Sequence, residues 1–400
     1  MFKLYAFFVY THSFNSGITP LLSENCIVLK VNCLILNYLT NITLKGCLEI
    51  TKSRVVYADI LRILAIISVV NIHVSGSFSL GSFSVTNINN WWAENIFDSL
   101  TRWGVPIFLM VSGMLMLNTD KNESLKTFFL KRVNKILIPF LVWGIIFDAL
   151  HPRYMNVPFS LKGLFTDFIS GTIYWHFWFM YAIVGLYILT PVIRVFVNNA
   201  SKNIMIYALT LWFTFASVLP LIENIFHINF DGSTNMSVMG NYLGYFVLGH
   251  FLHTYEVSKL FKRTVYFLAL VSAIISPTLT YILTKNNNGN FMSYFYDYQS
   301  ITVVIMSVAV FIFIKSIDWD SLLKDKAQLN SAISVISHAS FGVFLVHFIF
   351  MNELGRFGIE LFTMGANSWL RVPAMDIIVF SLSLLFVIVL RKIPYFRRIV

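Results

Sequence analysis

Tyr57-Ala58-Asp59-Ile60-Leu61-Arg62 opens an apolar run, Ile63-Leu64-Ala65-Ile66-Ile67-Ser68-Val69-Val70-Asn71-Ile72, that ends on His73. An acid, a base and an imidazole thus lie in one apolar segment of membrane-crossing length. Arg62 and His73 are eleven residues apart, three helical turns and a little more. They therefore share a helix face, separated by roughly 16 Å along the axis. Asp59, one turn from Arg62 on that face, can partly neutralise it. Charge inside hydrocarbon is costly, so this Arg and His are expected to serve a function. The plain alternative is a snorkelling Arg62 and an interfacial His73.

Composition agrees with a membrane reading. Hydrophobic residues make up 57% of the 400 and charged residues 12%. That is about half the charge fraction of a soluble domain, and the mean hydropathy is +0.72. The chain reads as an all-α polytopic membrane protein. From Val55 onward ten segments of spanning length recur, at about 55–77, 96–117, 136–151, 174–197, 204–222, 238–254, 264–284, 299–316, 332–352 and 372–391. The third is the shortest, and Gly244 and Gly249 interrupt the sixth.

Residues 1–53 do not share this pattern. Phe2–Tyr10 is too short to span, and Lys30, Asn32 and Asn37 break the apolar stretch from Val28 to Leu39. The three cysteines, Cys26, Cys33 and Cys47, lie here without metal-like spacing. The sequence predicts a poorly structured extension or a start placed too early, followed by a transmembrane domain over 54–400.

Loop charges orient the spans. Lys52 and Arg54 precede the first, and Lys121, Lys126, Lys131, Arg132 and Lys135 follow the second. Lys202, then Lys259, Lys262 and Arg263, then Lys324 and Lys326 occupy later even-numbered connections, and the tail carries Arg391, Lys392, Arg397 and Arg398. The connections at 78–95 and 223–237 hold no Lys or Arg. Both termini are expected in the cytoplasm. The net charge of +10 is thus mostly a topology signal, which argues against a nucleic-acid partner.

Orientation then sorts the polar residues by depth. Arg62, Arg132 and Lys135 fall on the cytoplasmic side; His73, Arg102, His176 and His347 fall toward the outside. Basic residues at a cytoplasmic helix entrance can hold the phosphates of a nucleotide-bearing donor, or be ordinary positive-inside flanks. An imidazole in the membrane suits proton abstraction from a hydroxyl, although His176 and His347 also fit as interfacial residues. Trp91, Trp92, Trp175 and Trp178 read first as an interfacial belt and second as a sugar-stacking surface. The sequence contains no GxGxxG, P-loop or HExxH motif.

Asp59-x-x-Arg62 with His73 resembles the signature of the membrane acyltransferase 3 family. The resemblance continues in Arg102-Trp103-Gly104-Val105-Pro106-Ile107-Phe108-Leu109-Met110-Val111-Ser112-Gly113, in Arg132-x-x-Lys135-Ile136-x-x-Pro139, and in His176-Phe177-Trp178-Phe179-Met180-Tyr181 with Gly185-Leu186-Tyr187 and Pro191. It ends in Ser337-His338-Ala339-Ser340-Phe341-Gly342-Val343-Phe344-Leu345-Val346-His347. Each fragment is weak alone; the ordered set, over about 55–395, is specific.

The resemblance implies about ten helices and transfer of an acyl group, usually acetyl, from cytoplasmic acyl-CoA to a hydroxyl of a cell-surface glycan or its lipid-linked precursor. It implies a bacterial inner-membrane O-acetyltransferase, similar to the enterobacterial-common-antigen and adhesin-polysaccharide branch, with no metal. Its essential Arg and His fall on Arg62 and His73, and its two-arginine motif on Arg132 and Lys135. The lysine keeps the charge and loses the planar fork. On this reading Arg62, Arg132 and Lys135 steer acyl-CoA, and His73 is the base or a transient acyl carrier. Arg102, His176, Trp178 and His347 are candidates for acceptor binding or oxyanion stabilisation. A polysaccharide exporter or flippase is the rival, and a membrane subunit without chemistry of its own a second. Paired inverted repeats with broken helices would favour the exporter; no convincing internal repeat is visible.

Overall fold

The computed structural model describes residues 54–400, except 77–82, 84–86, 119–123, 155–159, 227–236 and 358–366 and the side chains of 151–154 and 237–241. The extension or early start expected over 1–53 lies outside the described residues.

The described chain is a succession of helices: α1 Val56–Gly76, α2 Ile88–Thr101, α3 Gly104–Met116, α4 Leu125–Arg132, α5 Ile138–Tyr154, α6 Leu161–Ser170, α7 Trp178–Asn199, α8 Lys202–Phe213, α9 Leu219–Phe226, α10 Ser237–Thr254, α11 Lys259–Asn286, α12 Ile301–Ser316, α13 Trp319–Leu323, α14 Ala327–Arg356 and α15 Ser368–Lys392. In a bilayer every backbone N–H and C=O must be satisfied within the protein, and a helix does this segment by segment. The protein is an all-α, polytopic membrane protein. Nine helices among the described residues are long and apolar enough to cross a membrane.

The sixth expected span, at 238–254, is helical as α10 but is not among those nine. Its polar content includes Tyr242, Tyr245, His250 and His253. The reason it tolerates them is its position: Tyr245, Phe246, Phe251 and Leu252 are buried, and α10 packs chiefly along α3. A helix shielded by other helices needs less hydropathy than one facing lipid. The interrupting glycines are the means of contact. A Cβ on Gly249 would lie 2.0 Å from the Met110 carbonyl oxygen, and one on Gly113 would lie 1.7 Å from that of Phe246. Reciprocal small residues let the two backbones touch, the usual way membrane helices gain packing energy.

The second span also differs from its expected bounds, beginning at Ile88 and running to Met116. Glu94 and Asn95 fall just before the expected start, yet both are buried, as is Asp98 just after it. The span breaks at Arg102 and Trp103, where α2 ends and α3 begins. Pro106 has no N–H to give the Arg102 carbonyl, which loosens that turn. Side chains also bond to carbonyls beside the break: Trp103 Nε1 donates to Leu100 O (2.7 Å) and Thr101 Oγ1 to Phe97 O (2.8 Å).

Two π-turns, Val133–Leu137 and Thr214–Val218, each end just before a proline, Pro139 and Pro220. A proline ring collides with the carbonyl four residues back. Widening the turn by one residue, so that Ile138 N donates to Val133 O, relieves that clash.

At the centre stands α1. It packs against α2, α3, α12, α14 and α15, and 67% of its most apolar window is buried, against 17% for the span Lys202–Phe226. A helix apolar on all sides belongs in the middle of a bundle, and this one carries Arg62 and His73.

Candidate active site

The outer end of α1 brings His73 to a cluster of imidazoles. The His73 ring stacks on that of His347, from α14, with centroids 5.3 Å apart. The His176 ring, from the short 3-10 turn Trp175–Phe177 before α7, meets His347 edge-on, also at 5.3 Å. His176 and His347 are fully enclosed (1% and 0% exposed). The fold thus gathers three of the sequence-predicted residues in one place.

His347 has a defined tautomer. Its Nδ1–H donates to Phe344 O at 2.7 Å and Val343 O at 3.2 Å, one turn back on its own helix. Nδ1 then holds the proton and Nε2 the lone pair. Nε2 is buried and has no hydrogen-bond partner among the described residues. Such a cluster can accept a proton, pass it between rings, and hold a reacting group away from water. Among the described residues, no group of three His, Cys, Asp or Glu is arranged to hold a metal ion.

Arg102 lies at the helix break beside this layer. Its Nε is ion-paired to Asp98, and its guanidinium sits 4.4 Å over the Tyr296 ring and 5.9 Å from that of Tyr298. Trp178 stacks on Tyr298 at 5.5 Å and lies 5.4 Å from Tyr242. Arg102 and Trp178 therefore meet through Tyr298, an aromatic and cationic wall next to the imidazoles. Trp91 and Trp92 belong with Phe83 and Tyr281 to an aromatic cluster that also holds Tyr296, the ring beneath Arg102. Trp175 is 77% exposed.

The other end of α1 is cationic. Asp59 is buried and occupied: it takes Arg54 Nε, Arg62 Nη1 at 3.3 Å and Ser337 Oγ at 2.6 Å. It ties α1 to α14 and holds Arg62. Arg132, at the end of α4, places its guanidinium 4.0 Å from the centre of the Phe128 ring and donates to Met116 Sδ at 3.0 Å. Arg194, on α7, covers the same Phe128 ring at 4.8 Å and donates to Met116 O at 2.8 Å. Tyr187 lies close to Ser112, Arg62 and Arg132. Lys135, inside the π-turn, is exposed.

Arg194 was missed by sequence reasoning. A signal existed: it lies seven residues, two helical turns, after Tyr187 and so on the same face. Its closeness to the chain's basic flanks hid it.

A family profile described as an acyltransferase domain matches residues 55–391, nearly the whole described bundle. The nodulation protein NolL of Sinorhizobium fredii is 28% identical over 122 residues, 30% of this chain and 32% of that protein. The shared stretch thus spans about a third of this relative. No solved structure matches the chain. The matched profile covers the arginine end, the imidazole cluster and every helix between them, and this chain belongs to that acyltransferase family, Acyl_transf_3.

Proposed function

We propose that the protein is a bacterial inner-membrane O-acetyltransferase that takes acetyl from cytoplasmic acetyl-CoA and delivers it to a hydroxyl of a cell-surface glycan or its lipid-linked precursor. The observation that carries the reading is the spacing of the two clusters along one helix. Arg62 and His73 are about 16 Å apart on the axis of α1. The pantetheine arm of CoA has thirteen bonds from its phosphorus to its sulfur. At the extended-chain reach of roughly 3.5 Å per three bonds it spans about 15 Å. A donor with its phosphates among Arg62, Arg132 and Arg194 would hold its thioester at the imidazoles. Lys135, exposed on the same entrance, would meet the more distal phosphates.

The chemistry then balances without a metal. His73 takes the acceptor's hydroxyl proton, the oxygen attacks the thioester carbonyl, the carbon–sulfur bond breaks, and the imidazolium returns the proton to the leaving thiolate. Acetyl carried on His73 itself is the two-step form of the same transfer. Arg102 and Trp178 would bind the acceptor beside the imidazoles, with His176 as a donor to the developing oxyanion and the His347 lone pair steadying the imidazolium formed on His73.

The test uses membranes from cells expressing the full chain, supplied with radiolabelled acetyl-CoA. Label should enter the lipid-linked or surface glycan fraction and depend on the protein. Purified protein that neither binds acyl-CoA nor promotes labelling of any envelope glycan would sink the reading. Export of a glycan without any CoA-dependent labelling would establish a transporter instead.

A further inference from the structure

The imidazole cluster is walled by aromatic rings. Phe348, the residue after His347, touches all three imidazoles, with centroids 4.6 Å from His73, 4.7 Å from His176 and 4.7 Å from His347. Tyr174 packs on Phe348 at 5.3 Å and is pinned by Asn352 Nδ2, which donates to its hydroxyl at 2.8 Å. Phe147 stands behind, 4.8 Å from Tyr174 and 5.2 Å from His176. Phe344 closes the opposite side, 5.3 Å from His176. Phe147, Tyr174 and Phe344 are buried. Phe348 is half-buried.

We propose that Phe348, backed by Tyr174 and Phe147, sets the length of the acyl group this site accepts and restricts it to very short chains. The proposal rests on the acyl-transfer reading above. A carbonyl attacked with help from these imidazoles must come within about 3–3.5 Å of the reacting atoms. Its acyl tail must then lie against the surfaces that cover the rings. Phe348 covers all three at van der Waals separation, so a methyl group fits at its edge and a longer chain has to displace it. Tyr174 cannot yield easily, because its hydroxyl is held and Phe147 fills the space behind. The position is therefore a gauge: truncating the ring opens space that the pinned neighbours do not fill, as in other large-to-small changes in rigid packing.

The experiment compares labelled acetyl-CoA, butyryl-CoA and hexanoyl-CoA, each below saturation, in membranes containing the full-length protein. The readout is the ratio of acyl transfer rates into the endogenous glycan fraction. Wild type should transfer butyryl at less than a tenth of its acetyl rate. Phe348→Ala should raise the butyryl-to-acetyl ratio at least tenfold, and Phe348→Leu should fall between. Phe313→Ala, an exposed site on α12, should leave the ratio unchanged. The leucine variant keeps the test informative if the alanine variant does not insert. Wild-type transfer of butyryl as fast as acetyl would overturn the proposal. So would a ratio unmoved in whichever Phe348 variant inserts and transfers acetyl. Absence of transfer from every donor by wild type is a different result, which removes the acyltransferase reading and this proposal with it.

Discussion

The imidazole of His347 stacks on that of His73 at 5.3 Å, while its own Nδ1–H is held by the Phe344 carbonyl one turn back on α14. His347 therefore has one ring nitrogen committed to the fold and one lone pair left for the cluster. The stacking joins the first span of the domain to its penultimate one. His176 and His347, each of which could be read as an interfacial residue, are buried and make one imidazole layer with the half-buried His73.

Proton transfer at that layer predicts a graded response. His73→Ala should lower acyl transfer by about 10²–10⁴-fold at normal membrane abundance, the usual loss for a general base. His338→Ala is the control. That ring is exposed, and its Nδ1 bonds to Ser334 O at 2.7 Å, one turn back on the same helix. Most activity should survive in His338→Ala, measured with labelled acetyl-CoA in membranes. Equal losses in the two variants would show that the effect is not chemical.

The arginine end should answer in affinity. Arg132→Ala and Arg194→Ala each remove a guanidinium from the layer around Phe128 and Met116. A hydrogen bond to a charged group contributes about 1.5–3 kcal/mol, so KM for acyl-CoA should rise roughly tenfold or more while much of kcat remains. Lys135→Ala, at an exposed site, should raise it less. A fall in kcat with unchanged KM in the arginine variants would place them in the chemical step instead.

What the sequence made legible depended on how local the signal was. The pairing of Arg62 with His73 follows from helical period alone, and so does the all-helical membrane fold. Arg102 and His176 were visible as residue types in the outer layer, but their neighbours were not. Asp98 lies one turn before Arg102, so that pair is local; that Arg102 covers Tyr296, or that His176 lies against His347, requires the packing of helices far apart in the sequence. The start of the second span was misplaced because Glu94, a buried carboxylate, looks like a loop residue until its partner Arg371 is known. The sixth span fell short of membrane-like hydropathy because burial among helices had replaced lipid as its solvent.

Loop charge predicts the orientation of the whole bundle. Reporters fused near residues 85 and 230 should face outward, and those near 125 and 260 should face the cytoplasm. The four can be checked by labelling of introduced cysteines in intact cells. Reversal at any one would exchange the sides assigned to the arginine and imidazole layers, and the donor could no longer enter from the cytoplasm.

Glu94 and Arg371 form an ion pair between α2 and α15, and both are nearly inaccessible, at 0% and 8% exposed. Ser368 Oγ also donates to Glu94 Oε1, at 2.9 Å. Leaving one charge of such a pair without its partner typically costs about 3–5 kcal/mol, because the remaining ion stays desolvated. Glu94→Ala should therefore lower the melting temperature of the detergent-solubilised protein and its abundance in membranes. The double variant Glu94→Leu with Arg371→Met replaces both charges with apolar groups of comparable size, and should recover most of the loss. Activity per folded molecule should change little in the double variant, since the pair joins α2 to α15 whereas the imidazole layer is built from α1, α14 and the turn before α7. Equal melting of wild type and Glu94→Ala would mean that the pair contributes nothing to stability. A double variant that melts normally yet transfers no acetyl would place the pair in acceptor binding, and α2 would then have to be counted as part of the acceptor's path.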